Sequence, residues 1–345
     1  MKRVPPPRMT VKLPSTPVIA GSTRDLTKAT TLLGSDQSEF QSGCLECPDQ
    51  PCVSYSHDEI AKSVGFDGPY SPDTNVCPNG SIIKTASGPP AVDSSTCLGC
   101  GLCVARCPVG AIHLNPTSLT ASVSPADTSH YRSATSTAEF DILRQEIAEL
   151  VPDTTPTFGD LELVARQTER ISEVLGVKPN PAELRLLVRN ILISAGATAR
   201  LKNTGDNNAV SELVAASDDW VLIAEIDPTG DTLDAMRRSI AGCAIAIGRY
   251  GISRDKLAAV AVVMKLPNKR VDCYGVVSDV VERLELQSAV VPVGLLLLFA
   301  RGGLELIGEL WPHLHLVGSQ EFLNAVQAVL GSIPDPVAAG LLPSK

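Results

Sequence analysis

An α/β fold with a mixed central sheet flanked by helices is predicted for the C-terminal part of this 345-residue chain, behind a smaller α+β domain built around cysteines. Three observations predict it. Eight of the ten cysteines crowd between positions 44 and 107. Beyond the cysteines, helical apolar stripes alternate with short apolar runs bounded by polar turns, which is the pattern of strands joined by crossover helices. Aromatic residues make up only 4% of the chain, so the core must be built from Val, Leu, Ile and Ala.

The length fits roughly two domains. The net charge of -9 is spread over both halves, with 11 basic against 15 acidic residues before Val151 and 18 against 23 from there on. No global basic face for nucleic acid follows, although a local one stays open. The N-terminus, MKRVPPPRMTVKLPSTPVIAG, has basic residues but no continuous apolar core of the kind a secretory signal needs. The longest apolar run, Val290 to Ala300, is about half of what a membrane-spanning helix requires. A cytoplasmic protein without a membrane anchor is the expectation, and reduced thiolates holding metal suit it better than disulfides.

Four regions are expected: a flexible lead (1–40), the cysteine domain (41–116), a Ser/Thr-rich linker (117–138) that lets the domains move, and the α/β domain (139–335). In the last, Phe140, Leu143, Ile147 and Leu150 recur at helical spacing, then Leu161, Val164, Ile171 and Leu175. A third helix has Asn180 as cap, Pro181 in its first turn, an apolar stripe of Leu184, Leu187, Val188 and Ile191, and Gly196 at its end. The runs SELVAA, WVLIAEI, LAAVAVVMKL, DCYGVVSDVV and GLLLLFA read as strands. Between the second and third lies a helix opened by Asp231 and closed near Gly251, making a βαβ crossover. A final helix is expected from Ser319 to Gly331, with Phe322, Val326, Val329 and Leu330 inward.

The strongest motif is Cys97-Leu-Gly-Cys100-Gly-Leu-Cys103-Val-Ala-Arg-Cys107-Pro108. Two-residue gaps let a tight loop bring three thiolates around one corner of a cluster, and Pro108 turns the chain away after the fourth. Gly99 and Gly101 supply backbone freedom where the chain wraps this closely. The upstream half repeats the theme as Cys44-Leu-Glu-Cys47-Pro-Asp-Gln-Pro-Cys52, then Cys77-Pro-Asn-Gly-Ser-Ile82, whose tail matches CPVGAI after Cys107. An internal duplication is the natural reading. These residues resemble the bacterial-type two-cluster ferredoxin domain. The resemblance implies a βαββαβ fold, one-electron transfer and two 4Fe-4S clusters with exchanged fourth ligands: Cys44, Cys47, Cys52 and Cys107 for one, Cys97, Cys100, Cys103 and Cys77 for the other. The upstream half departs from the family in having four residues between Cys47 and Cys52 and an insertion from Val53 to Val76. A 3Fe-4S centre or a lost cluster therefore stays open there. Four-cysteine zinc sites also use two-residue gaps, and clusters that brace a fold without passing electrons are a further alternative.

In the α/β domain the order of elements resembles the PD-(D/E)xK restriction-endonuclease-like superfamily. That likeness implies a metal site at Glu212, Glu225 and Asp227. Asp227 stands where the family has lysine, and an aspartate cannot stabilise a developing negative charge. Loss of nuclease activity, substitution by Arg238, or an accidental likeness with the acids at a solvated strand end are the alternatives. Cys243 on a helical stripe and Cys273 in a strand read as buried thiols. His313 and His315 alternate in a strand-like WPHLHLV without a third ligand nearby. Arg185 and Arg189, one helical turn apart, read as phosphate contacts or a solvated face. His57 and Asp58 sit in the insertion, as cluster-tuning groups or as an exposed loop.

Electron transfer to a redox partner protein, with the α/β domain docking that partner, is the leading expectation. It makes the chain a non-catalytic carrier or a subunit of an oxidoreductase. A nucleic-acid-associated protein with a degenerate nuclease-like domain is the rival.

Overall fold

The computed structural model describes residues 44, 47, 49–56, 60, 66, 70–85, 88–107, 111–115, 117–123, 161–176, 179–206, 210–228 and 230–343. The expected lead, the helix over Phe140 to Leu150, His57, Asp58, Pro108 and most of the expected linker lie outside the described residues.

The cysteine domain contains strands β1 (Ile82–Ile83) and β2 (Ala91–Val92), helix α1 (Leu102–Arg106), and strands β3 (Ile112–Leu114) and β4 (Ala121–Val123). β1 pairs antiparallel with β2, and β3 with β4 through Ile112 opposite Val123 and Leu114 opposite Ala121. β4 falls within the stretch read as linker, so the domain extends at least to Val123.

The body begins with α2 (Leu161–Leu175) and α3 (Pro181–Ser194), followed by strands β5 (Thr198–Leu201), β6 (Leu213–Ala216) and β7 (Val221–Asp227). Then come α4 (Thr232–Tyr250), β8 (Leu257–Val263), α5 (Cys273–Leu284), β9 (Gln287–Pro292), α6 (Val293–Leu310), α7 (Gln320–Leu330) and α8 (Asp335–Gly340). The five strands lie in sequence order, β5-β6-β7-β8-β9. The first three form an antiparallel meander, and β7, β8 and β9 run parallel. Parallel strands need crossovers, supplied by α4 and α5.

Both sheet faces are covered, which is why β8 reads as an unbroken apolar run and β7 as one from Val221 to Ala224. The period of two survives in which core each side chain enters. Leu222, Ala224 and Ile226 join the main core with α3 and α6, while Val221 and Ile223 join a second core with Cys243, Ala246 and Tyr250 of α4.

Local signals set the helix ends. Asn180 Oδ1 accepts from the Ala182 N–H, with Pro181 at the first position of α3. Asp231 caps α4, and Gly251 closes it at φ 69°. Ser319 caps α7, whose Phe322, Val326 and Leu330 are buried while Val329 is exposed, contrary to the inward placement expected of it.

Three expected strands are helical. DCYGVVSDVV forms α5, because Cys273, Val277 and Val280 are the buried positions and recur at helical spacing. GLLLLFA belongs to α6: the run has no period, and its leucines favour helix once Pro292 has ended β9. WPHLHLV lies in a 3-10 helix (Trp311–Leu316), so His313 and His315 do not share a strand face. Cys273 is accordingly a buried helical thiol. The edge strand β5 and β9 had no strand assigned to them from sequence.

The two domains are docked, not loosely tethered. Phe66 packs edge-on against Tyr250 at 4.7 Å, Tyr70 bridges to Lys202, and Arg200 stacks over the Tyr70 ring at 4.4 Å. All three contacts use the insertion.

Candidate metal centre

Cys77 and Cys107 each accept a hydrogen bond from the backbone N–H four residues on. Ser81 N–H donates to Cys77 Sγ at 3.1 Å, and Ala111 N–H donates to Cys107 Sγ at 3.2 Å. A third such bond runs from Ala121 N–H to Cys97 Sγ at 3.4 Å. An N–H aimed at sulfur stabilises thiolate, the form that ligates metal.

The thiols of both halves crowd together, seven of the eight against one apolar cluster. Burial pushes Cys47 up to about 12, with Cys107, then Asp49 and Cys44, adding to the effect. Cys52 is pushed higher by burial, then by Cys107, Cys47 and Cys44. Burial also raises Cys100, whose main charged neighbours are Cys77 and Cys97. Cys103 is raised by burial, then by Cys100, Cys77 and Cys97, with Cys52 last. Cys107 thus lies within electrostatic reach of Cys47 and Cys52, and Cys77 within reach of Cys100 and Cys103. Asn79 reinforces the second grouping by donating from Nδ2 to the Thr96 carbonyl beside Cys97. Buried thiols crowded in this way ionise only when a metal charge compensates them, so loading releases protons.

The insertion does not separate the two sets. Its ends zip together, with Tyr55 N–H donating to Thr74 O at 2.7 Å and Val76 N–H to Val53 O at 3.0 Å, which leaves Cys52 and Cys77 as neighbours across the closure. Arg106 fixes the upstream loop: its Nε donates to Pro51 O at 2.6 Å and its guanidinium stacks over Tyr55 at 4.1 Å.

The body grips the cysteine loops from two helices. On α3, the fully buried Arg189 donates to Asp73 O at 2.5 Å and Asn75 O at 3.2 Å, while Asn190 Nδ2 donates to Asn75 O at 2.9 Å and Val76 O at 2.8 Å. On α2, Gln167 Nε2 donates to Gly99 O at 2.8 Å and Arg170 Nε to Cys97 O at 3.3 Å. Gly99 has no room for a side chain, since a Cβ would lie 2.6 Å from Leu119 O and 3.2 Å from Arg170 Cγ, and its φ is +71°. Arg189 thus holds backbone carbonyls and is neither a phosphate contact nor a solvated face. Sequence reading missed Gln167, Arg170 and Asn190. The available signal was the Arg-Asn pair inside an otherwise apolar helical stripe.

The acids of the body are internally partnered. Glu225 Oε1 accepts from Ser211 Oγ at 2.5 Å and Glu212 N–H at 3.0 Å, and its Oε2 accepts from Arg238 Nε at 3.0 Å. Glu212 accepts from Ile226 N–H at 2.8 Å and pairs with Arg185. Asp227 ties the turn before α4, accepting from Gly230 and Asp231 N–H and from Thr232 Oγ1. The glutamates are adjacent, but each carries an arginine instead of an open metal position. Among the described residues no three His, Cys, Asp or Glu side chains gather as a single-ion site.

Residues 90–113 match the model of the 4Fe-4S binding domain family. The chain carries a 4Fe-4S ferredoxin-like domain. The zinc alternative for the Cys97 motif falls with that match, and the sulfur donors described above fit such a cluster. The thiosulfate reductase electron transfer subunit PhsB of Salmonella typhi is 32% identical over 72 residues, covering 21% of this chain and 38% of that protein. The ferredoxin-like protein YdhX of Escherichia coli K12 is 29% identical over 77 residues, covering 22% of this chain and 25% of its own. The matches thus span well under half of either relative. No solved structure matches the chain. Among the described residues no helix is long and apolar enough to cross a membrane.

Proposed function

We propose that this chain transfers single electrons through two 4Fe-4S clusters, one held by Cys44, Cys47, Cys52 and Cys107 and the other by Cys77, Cys97, Cys100 and Cys103. The observation that carries the reading is the twice-built N–H to sulfur bond at Cys77 and Cys107, each of which sits among the thiols of the opposite half. When bound, the clusters supply one-electron chemistry over a wide range of potentials, about -700 to +450 mV. The protein supplies thiolates, N–H donors and burial, which keep water from the sulfurs and set the potential. The fold class that goes with this reading is a ferredoxin-like α+β unit on an α/β body. The electron transfer subunit relative supports a redox partner protein, and the body, which that match does not bear on, is proposed to dock it. Ion pairing of Glu212 and Glu225 favours this docking role over a nuclease-like one.

Anaerobic purification, iron and acid-labile sulfide analysis and EPR of the reduced protein test it. About eight irons per chain and two signals are expected; a chain that takes up no iron and sulfide overturns the proposal.

A further inference from the structure

The downstream cysteine loop touches the body through two polar side chains on one face of α2. Arg170 donates from Nε to Cys97 O at 3.3 Å and from Nη2 to Ser94 O at 3.4 Å. Gln167, only 4% exposed, donates to Gly99 O and is itself held by Arg301 Nη2 of α6, 2.9 Å from its Oε1. Neither Gln167 nor Arg170 bonds to Cys47 or Cys52 among the described contacts. Ala165, Thr168 and Glu169, which project from the other sides of the same helix, help line a cavity of about 560 Å³ beside Lys265 and Gly294 at the carboxyl edge of β8 and β9.

We propose that Arg170, with Gln167 braced by Arg301, is a positioning pair through which the α/β body sets the potential of the cluster at Cys77, Cys97, Cys100 and Cys103, and through which that body senses reduction of this cluster. The inference rests on the two-cluster reading above. Reduction adds one negative charge to the cluster and leaves all bonds in place. A guanidinium hydrogen-bonded to a ligand's own carbonyl favours that state, so it moves the potential upward. Partial exposure of Arg170 limits the effect through solvent screening. Linkage makes the effect reciprocal: the factor by which the docked pair favours reduction is the factor by which reduction tightens docking. Reduction therefore firms α2 and, through its other sides, the wall of the cavity.

Redox titration of the anaerobically loaded full chain, followed by EPR, tests this with Arg170→Gln, Arg170→Lys and Gln167→Leu. Arg170→Gln should lower the reduced-to-oxidised ratio of the downstream cluster about three- to tenfold at fixed potential, or ~28 to ~59 mV for a one-electron couple. Arg170→Lys should restore most of that, and the other cluster should barely move. Hydrogen exchange along α2 should be slower in the reduced parent than in the oxidised one, and this difference should vanish in Arg170→Gln. Gln167→Leu keeps the charge and removes the brace, so it should reduce the exchange difference with a smaller shift in potential. Full iron content with unmoved potentials, equal movement of both clusters, or a lysine variant no better than glutamine overturns the inference while leaving the cluster reading intact. A chain without iron removes both.

Discussion

The two halves of the cysteine domain are built on one pattern and supported in different ways. Each ends in a Cys-Pro sequence after which the N–H four residues beyond the cysteine donates to its sulfur. The downstream half is compact in sequence and leans on α2 of the body through Gln167 and Arg170. The upstream half is interrupted by the insertion, which closes on itself and then docks through Tyr55, Phe66, Tyr70 and the carbonyls taken by Arg189 and Asn190. A compact motif places its ligands by local geometry, whereas an interrupted one needs distant residues to do so. The insertion that looks like a defect in the repeat is the part that fastens it to the rest of the protein.

The most severe way to break this comparison is to exchange the fourth ligands. Cys107→Ser should cost about half the iron and abolish the upstream signal while keeping the downstream one, and Cys77→Ser should do the opposite. Iron analysis and EPR separate these outcomes from an unexchanged arrangement, in which the two results would be reversed.

Next in size is the fastening of the insertion. Arg189→Met takes the side-chain donor from the Asp73 carbonyl and one of two from the Asn75 carbonyl, which Asn190 still serves, and should destabilise the protein by about 2 kcal/mol in urea unfolding. The upstream loop should become accessible to protease before the sheet does.

Two glycines at the same φ, one in each half, sharpen the contrast. Gly99→Ala forces a Cβ against Leu119 O, at 2.6 Å, and should cost about 3 kcal/mol. Gly80→Ala, at the same φ of +71° but with nothing within 4 Å, should cost about 1 kcal/mol, again by urea unfolding.

The smallest expected effect lies in the body. Burial raises Glu212 above the usual carboxylate range, against the Ile226 N–H and Arg185, which lower it, while Glu225 raises it further. A carboxyl raised in the folded state holds its proton more tightly there than in the unfolded chain. Its stabilising contribution is therefore present below about pH 4.3, the unfolded value, and is lost as pH rises through the folded one. Glu212→Gln should flatten that slope by less than about 1 kcal/mol, measured as urea midpoints across mildly acidic pH.

Much of the body was legible in sequence where local physics decides. Asn180, Asp231, Gly251 and Ser319 mark helix ends because caps act over three or four residues. Strand β8 and the first half of β7 stand out because burial on both faces favours apolar residues there. The same burial erased the distinction further on: an apolar run without period fits a strand or a buried helix equally, and the leucines of α6 lie in a helix. The glutamates show a similar limit. Their positions on adjacent strands were readable, but Arg185 and Arg238, which come from other elements and pair with them, were not assigned that task.

For the cysteines the division is sharpest. Sequence by itself pointed to an iron-sulfur site at the Cys97 motif, since thiolates at two-residue gaps followed by proline satisfy a cluster's corner through local chain geometry. It also shows the tail Cys-Pro-x-Gly-x-Ile twice, after Cys77 and after Cys107. Tertiary structure alone decided what surrounds it: that the insertion zips shut between Val53 and Val76, that Arg189 and Asn190 hold the chain leading to Cys77, and that Gln167 and Arg170 rest on the Cys97 loop. Those contacts join residues far apart in the chain, and their worth comes from burial and hydrogen bonding that exist only once the sheet and helices are assembled.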